Sequence, residues 1–269
     1  MAIRALAEAG RAFGRTDYLD AAVDCADFVL SASRDPQGRL LRSWRAGSSG
    51  IPAFADDHAL MGSACLALYE ATFDPRWFRQ ARELADQLLG LFLDEPNGGF
   101  FQTGSDTDAL VVRPKELSDG AVPSGNSAAA EFLARLALFT GDDSQVRAAR
   151  RALGLVTEAM SRAPAGFGAA LCALDLLGGQ ARQIAIIGDL DDPRTQALIR
   201  AASERYLPDA VLAVASPSDD ATLNDIALLA GRAAVDGAPT AFVCEHFTCR
   251  LPVTTPEALR AQLSPAAAR

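Results

Sequence analysis

Histidine is nearly absent from this sequence. His58 and His246 are the two present among 269 residues, so chemistry that shuttles protons between paired histidines has only His58 near the loops discussed below. Positive charge is also scarce. Lys and Arg total 25 against 34 Asp and Glu, a net charge of −9, which argues against nucleic acid or an anionic membrane surface as the main partner. No run approaches the ~18 apolar residues of a membrane span. The N-terminus lacks the apolar stretch of a signal peptide, because Arg4 and Glu8 interrupt it. It reads instead as an amphipathic helix with Leu6, Ala9 and Phe13 on one face. The strand pattern that runs into Gly188-Asp189 carries no G-x-G-x-x-G, so a dinucleotide site is not indicated.

Cysteines are few and odd in number: Cys25, Cys65, Cys172, Cys244 and Cys249. Three lie within helical patterns as small buried apolar residues. With no secretory signal, this usage points to a reducing cytoplasm. Cys244-Glu245-His246-Phe247-Thr248-Cys249 invites a metal reading. That reading fails because no partner motif accompanies it, and alternation along a strand puts Cys244 and Cys249 on opposite faces. No C-x-x-C is present, so a thioredoxin-type site is absent. Buried structural cysteines, with no metal and no cofactor, are the expectation.

The chain is nonetheless 49% hydrophobic, enough for a substantial core. An internal repeat decides the fold class. A helix opens around Tyr18 and another around Trp77, 59 positions later; Asp35-Pro36-Gln37-Gly38 and Asp94-Glu95-Pro96-Asn97-Gly98 close the two units at the same offset. A third opening occurs at Gly141-Asp142-Asp143. Leu60, Ala64 and Leu68, then Trp77, Ala81, Leu84, Leu88 and Leu91, recur at three or four residues. Phe132, Leu136 and Phe139, then Ala149, Leu153, Val156 and Met160, do the same in the third unit. The spacing predicts about three helical hairpins, 1–178. Ribbon-like connectors are expected at Arg39 to Trp44, at Asn97 to Thr103 and from Leu110 to Arg113.

Beyond Leu177 the texture changes. Gln183 to Gly188, Ala210 to Val214 and Thr240 to Cys244 read as strands, with helices from Asp192-Pro193 and from Pro256. Region 179–269 is therefore expected to be a small α/β unit with parallel strands.

The candidate site lies where polar loops meet helix starts. Residues 113–127 are a polar, turn-rich run, with an apolar helix beginning at Ser127. Ser124, Asn126 or Ser127 can cap that helix, and the free N–H groups at such a start also suit an anion or a hydroxyl-rich ligand. Arg113, Lys115, Glu116 and Asp119 form a mixed-charge cluster leading into it, which reads as a solvated face or as ligand contacts. Asp56-Asp57-His58 opens a helix, where acidic residues each stabilise the helix dipole by typically ~0.3–1 kcal/mol. Asp57 is equally a ligand-binding carboxylate or an acid/base beside His58, itself a candidate ligand contact. Trp44 either stacks on a sugar ring or covers the core. Asp57, Glu116 and Asp119 are the candidate catalytic carboxylates by loop placement, since acid/base chemistry can use paired carboxyl groups.

Several runs resemble the YyaL-like family, which includes the spermatogenesis-associated thioredoxin-domain proteins: Gly50-Ile51-Pro52-Ala53-Phe54-Ala55-Asp56-Asp57, Leu68-Tyr69-Glu70-Ala71-Thr72, Arg113-Pro114-Lys115-Glu116 and Asp119 to Ser127. Ala230-Gly231-Arg232, Pro239 to Cys244 and Phe247-Thr248-Cys249 are similar to the same family's C-terminus. The resemblance implies an N-terminal thioredoxin-like domain followed by an (α/α)6 toroid similar to N-acylglucosamine 2-epimerases and six-hairpin glycosidases. This chain then corresponds to the C-terminal part, a fragment without the thioredoxin-like domain and the first hairpins. What it implies functionally is carbohydrate or small-molecule processing, or a non-catalytic module that works with the thioredoxin-like domain. The family's acidic pair is usually followed by tyrosine; His58 stands there in this sequence.

Overall fold

Six helices pair through two-residue turns, and each turn begins with a left-handed residue. Helices α1 (Ala2–Phe13) and α2 (Thr16–Ala32) are joined at Gly14, φ 64°. Helices α3 (Ala55–Thr72) and α4 (Pro75–Phe92) are joined at Phe73, φ 56°, and α5 (Gly125–Thr140) and α6 (Asp143–Gly154) at Gly141, φ 68°. The left-handed residue ends one helix and redirects the chain at once. Asp74 accepts from the Arg76 N–H and Asp142 from the Ser144 N–H, capping the returning helices, and Pro75 occupies a first-turn position where its missing N–H costs nothing. The starts of α2 and α4 lie 59 positions apart, as the repeat requires.

This is a computed structural model, and it describes residues 1–45, 50–108, 111–179 and 181–264. The chain divides into a helical unit, 1–136 with 142–178, and a second unit, 137–141 with 179–269. The protein is mainly helical with one four-stranded sheet among the described residues.

Within the helical unit, α3 is buried along almost its whole length, from Ala55 to Glu70. Its small residues permit this. A side chain at Gly62 would place its first carbon 2.2 Å from the Phe132 ring of α5, so only glycine allows that approach. Helix α4 instead buries a single stripe, Trp77, Phe78, Ala81, Leu84, Ala85, Leu88 and Phe92, at helical spacing. Helix α2 buries only Ala22 and Ala26, and Phe13, Phe28 and Trp44 stay exposed on the first hairpin. After α6 come α7 (Thr157–Arg162), a short 3-10 turn and α8 (Gly168–Gly178).

Four expectations need correction here. The buried face of α1 is Ile3, Ala7 and Gly10, a spacing that continues toward Gly14 and leaves Phe13 three-quarters exposed. The run from Ala149 to Met160 is broken, since α6 ends at Gly154 and α7 starts at Thr157. The connectors form isolated bridges, such as Arg34 with Leu40 and Leu93 with Phe100, rather than ribbons; Leu110, the first residue of the third expected ribbon, lies outside the described residues. Of the three helix-borne cysteines, Cys65 is buried whereas Cys25 and Cys172 are exposed.

The second unit is built on strands β1 (Arg182–Ile187), β2 (Ala210–Ala215), β3 (Thr240–Glu245) and β4 (Thr248–Cys249), in the order β2-β1-β3-β4. Helix α9 (Pro193–Ser203) crosses from β1 to β2, and those strands run parallel. The expected parallel arrangement stops there. β3 pairs with the other side of β1 antiparallel, and β4 returns antiparallel on β3. A helix-length crossover is what a parallel neighbour needs, and the β3–β4 connection is a tight hairpin. Helices α10 (Asp220–Asp225) and α11 (Pro256–Leu263) complete the unit, α11 packing on α9 and β3. Among the described residues no helix is long and apolar enough to cross a membrane.

Candidate functional site

The start of α3 is tied to the loop before it by its own carboxylates. The Phe54 N–H donates to Asp57 Oδ2 at 2.8 Å, and Arg42 Nη1 donates to the same oxygen at 2.7 Å and to Asp56 Oδ1 at 3.1 Å. Arg42 also lies over the Phe54 ring, 4.4 Å from its centre. Burial raises the Asp57 pKa above the ordinary carboxylate value, opposed by the Phe54 N–H and Arg42 and assisted by neighbouring Asp56. Asp57 is thus a partly exposed carboxyl that holds its proton more readily than usual.

His58, one residue on, has no exposed surface. Its Nδ1 lies 2.9 Å from the Phe54 carbonyl oxygen, and its Nε2 lies 2.8 Å from Arg39 Nη1 and 3.2 Å from the Gln87 amide. A guanidinium only donates, so Nε2 accepts from Arg39 and Nδ1–H donates to Phe54; the Gln87 atom near Nε2 is the acceptor Oε1, which makes no hydrogen bond to it in this tautomer. Burial, and then the nearby charge of Arg39, lower the imidazole pKa to about 4 against the Phe54 hydrogen bond that raises it. The ring is neutral and engaged on both nitrogens. Arg39, itself buried, pairs through Nε with Asp106 Oδ2 at 2.7 Å and donates to the Ala53 carbonyl at 3.1 Å.

The loop before α5 follows the same logic. Lys115 Nζ meets Asp94 Oδ2 at 2.7 Å and the Gly98 carbonyl at 2.6 Å, and this bond is the chief reason the Asp94 pKa falls to about 2. Arg113 donates to the carbonyls of Leu91 and Thr103 and lies over the Phe101 ring. Asn126 is buried and acts as a substitute peptide: its Oδ1 accepts from the Phe100 N–H at 2.7 Å, and its Nδ2 donates to the Phe100 and Glu116 carbonyls at 2.9 and 2.8 Å. Ser124 Oγ accepts from the Ser127 N–H at 3.1 Å, capping α5. Asp119 accepts from the Ser124 N–H at 2.9 Å and, through its other oxygen, from the Ala169 N–H at 2.8 Å, capping α8.

The starts of α3 and α5 lie side by side: the outward position on Gly125 is 3.5 Å from the Asp56 nitrogen, and the Ala55 N–H donates to the Gln102 carbonyl at 3.1 Å. Asp57, Ser124 and Asn126 therefore share one end of the helical unit. Glu116 presents an exposed side chain from the same loop. Trp44 packs its edge on Phe28 of α2, centres 5.3 Å apart, and is 44% exposed.

No family model matches the chain. Among curated proteins it is 31% identical over 267 residues to spermatogenesis-associated protein 20 of Homo sapiens, covering 95% of this chain and 34% of that protein. The Mus musculus protein of that name is 30% identical over 269 residues, and an uncharacterized protein of Caenorhabditis elegans is 26% identical over 265 residues. This chain spans about a third of the length of the curated relatives it matches.

Arg39, Gln87, Asp94 and Asp106 organise the site without any site signal in the sequence. Asp94 was visible as a repeat landmark; the other three carry no local pattern and are joined to His58 only by folding. The largest correction concerns the cysteines of the second unit. Cys244 and Cys249 form a disulfide. Alternation failed because His246 and Phe247 are both left-handed, at φ 51° and 60°, and reverse the chain. The two cysteines then become directly opposed cross-strand partners of β3 and β4.

Proposed function

We propose that this chain is a non-catalytic, hairpin-built interaction module, part of an (α/α)6 toroid, that works with a thioredoxin-like domain of a longer protein. The observation that carries the reading is the uncovered flank of the first hairpin. Helix α2 buries only two residues, while Phe13, Phe28 and Trp44 remain 75%, 46% and 44% exposed. A hairpin inside a ring packs against neighbours on both sides, so this flank fits a further hairpin or the partner domain. The loops agree with a scaffold. Asn126, Lys115, Asp119 and His58 direct their polar atoms at backbone or buried partners, which fixes loops rather than receiving a ligand.

Light scattering and titration calorimetry test the proposal. The expected result is association with a thioredoxin-like domain, or concentration-dependent self-association, lost in the Phe13→Asp/Phe28→Asp variant. A species that stays monomeric at every concentration and gives no heat with the domain defeats it.

The second reading is carbohydrate or small-molecule processing, with Asp57, Glu116 and Asp119 as acid/base groups and Trp44, His58, Arg113, Lys115, Ser124 and Asn126 as ligand contacts. What favours it is the raised pKa of Asp57 beside Asp56, since a proton-donating carboxyl serves better the more readily it holds its proton. Sugar binding that disappears in Asp57→Asn while the fold persists would move the conclusion to this reading.

A further inference from the structure

The tip of the second unit holds a charge with no counter-charge. Arg232 Nη2 points at both sulfurs of the Cys244–Cys249 disulfide, 3.3 Å from Cys244 Sγ and 3.0 Å from Cys249 Sγ. Its Nη1 reaches the Ala230 carbonyl at 3.4 Å, and its Nε is buried with no hydrogen-bond partner. Among the described residues no carboxylate pairs with it. Burial lowers the Arg232 pKa from its ordinary value, the sign of a cation in need of an anion. A disulfide is a poor acceptor and carries no charge, so the site is electrostatically incomplete in the oxidised state. Reduction supplies what is missing, because a thiolate beside a guanidinium is a charge-assisted pair.

We propose that Cys244–Cys249 is a thiol–disulfide exchange site for a dithiol, and that its reduced form holds a Cys249 thiolate paired with Arg232. The two sulfurs are unequal in a way that orders the steps. Cys244 is fully buried and Cys249 is exposed, so the incoming thiolate bonds to Cys249 Sγ. The S–S electron pair leaves on Cys244 Sγ, which Arg232 faces. The second thiolate of the dithiol then attacks its own first sulfur, breaking the mixed disulfide, and Cys249 leaves with the electron pair of that newly formed bond. The dithiol departs as a disulfide, having given two electrons. Of its two protons, one settles on buried Cys244, where a charge is unfavourable, and the other passes to solvent.

The remaining charges near the hairpin are already matched or lie outside it. Glu245 pairs with Arg250 at 3.0 Å, and Arg182 sits opposite Glu245 on β1. On α11, Arg260 pairs with Glu257 and with Glu204. His246 is exposed on the turn. Arg232 is therefore the group that governs the thiolate. The hairpin is anchored independently of the disulfide: the Phe247 N–H donates to Gln183 Oε1, and Gln183 Nε2 donates to the Leu138 carbonyl, each at 2.7 Å. Opening the S–S bond thus leaves the turn held.

The test uses the full chain carrying Cys25→Ser and Cys172→Ser, which removes the exposed competing thiols; buried Cys65, its thiol pushed up to about 12, does not react. Mixtures of reduced and oxidised dithiothreitol set the potential, and alkylation with mass spectrometry reads the reduced fraction. The native protein is expected to show one two-electron transition. Once reduced, Cys249 is expected to alkylate with an apparent pKa below the ~8.5 of a free thiol. Arg232→Met is expected to return that pKa to ~8.5 and to lower the equilibrium constant for reduction at pH 7 about tenfold, or ~30 mV. Arg232→Lys, which keeps the charge, should retain most of the effect, with circular dichroism checking the fold of both. A bond that yields only when the protein unfolds, or an Arg232→Met variant unchanged in both readouts, makes the disulfide a structural staple and overturns the proposal.

Discussion

The helical unit and the tip of the second unit treat partly buried cations in opposite ways. In the former, Arg39 has Asp106 and Lys115 has Asp94, each within 2.7 Å. In the latter, Arg232 faces two uncharged sulfurs. A desolvated charge with a permanent partner locks the loop that carries it. One without a counter-charge leaves an energetic opening that a chemical change can fill. The same distinction separates the imidazole of His58, neutral and bonded at both nitrogens, from a histidine free to exchange protons.

The strongest way to break this contrast is through His58. Its pKa is about 4 in the folded state against an ordinary 6.5. Between those values the unfolded chain binds a proton that the folded one refuses, so stability is complete above pH 6.5 and is lost as pH falls toward 4. The difference corresponds to ~3 kcal/mol. Urea denaturation at pH 7, 5.5 and 4.5 should show the loss, and His58→Gln should flatten it. A wild-type profile flat over that window removes the claim that the ring is held neutral.

Asn126→Ala comes next. It strands the N–H and C=O of Phe100 and the Glu116 carbonyl, at roughly 2–3 kcal/mol for the buried groups. Thermal melts that shift by less than a degree would show that water replaces the amide. Cys249→Ser removes a cross-link of sequence separation 5. Chain entropy for so short a loop gives ~2 kcal/mol, confined to the second unit and readable by hydrogen exchange. Smaller still is the Asp94 component. Its folded pKa of about 2 lies below the ordinary carboxylate value, so its contribution is present above ~4 and disappears as pH falls toward 2. Lys115→Met should shrink that acid-limb change. The smallest expected effect sharpens the contrast most: Arg232→Met in the oxidised protein should alter stability by less than ~0.5 kcal/mol, because no ion pair is lost.

Much of the helical unit was legible in the chain. The 59-residue offset, the Asp-Pro helix start at Asp74-Pro75 and the apolar stripe of α4 are local patterns, set by helix period and capping, and the structure reproduces each one. The polar loop residues were legible as a group, but their partners were not. Asn126 meets Phe100 and Asp119 meets Ala169 across 26 and 50 positions of sequence, which no periodicity encodes. The hairpin was misread for a related reason. Alternation assumes that a strand continues, and two non-glycine residues in left-handed conformation end it at His246 and Phe247.

The sequence by itself determined the starts of α2, α4, α6, α9 and α11, the apolar stripe of α4, and a strand–helix–strand unit after the helical region. These follow from interactions between residues a few positions apart. Only the tertiary structure decided that His58 is sealed against Arg39, that Gly62 admits the Phe132 ring, and that Cys244 finds Cys249 under Arg232. Burial and opposed charge act through space, so their consequences exist only once distant segments have been brought together.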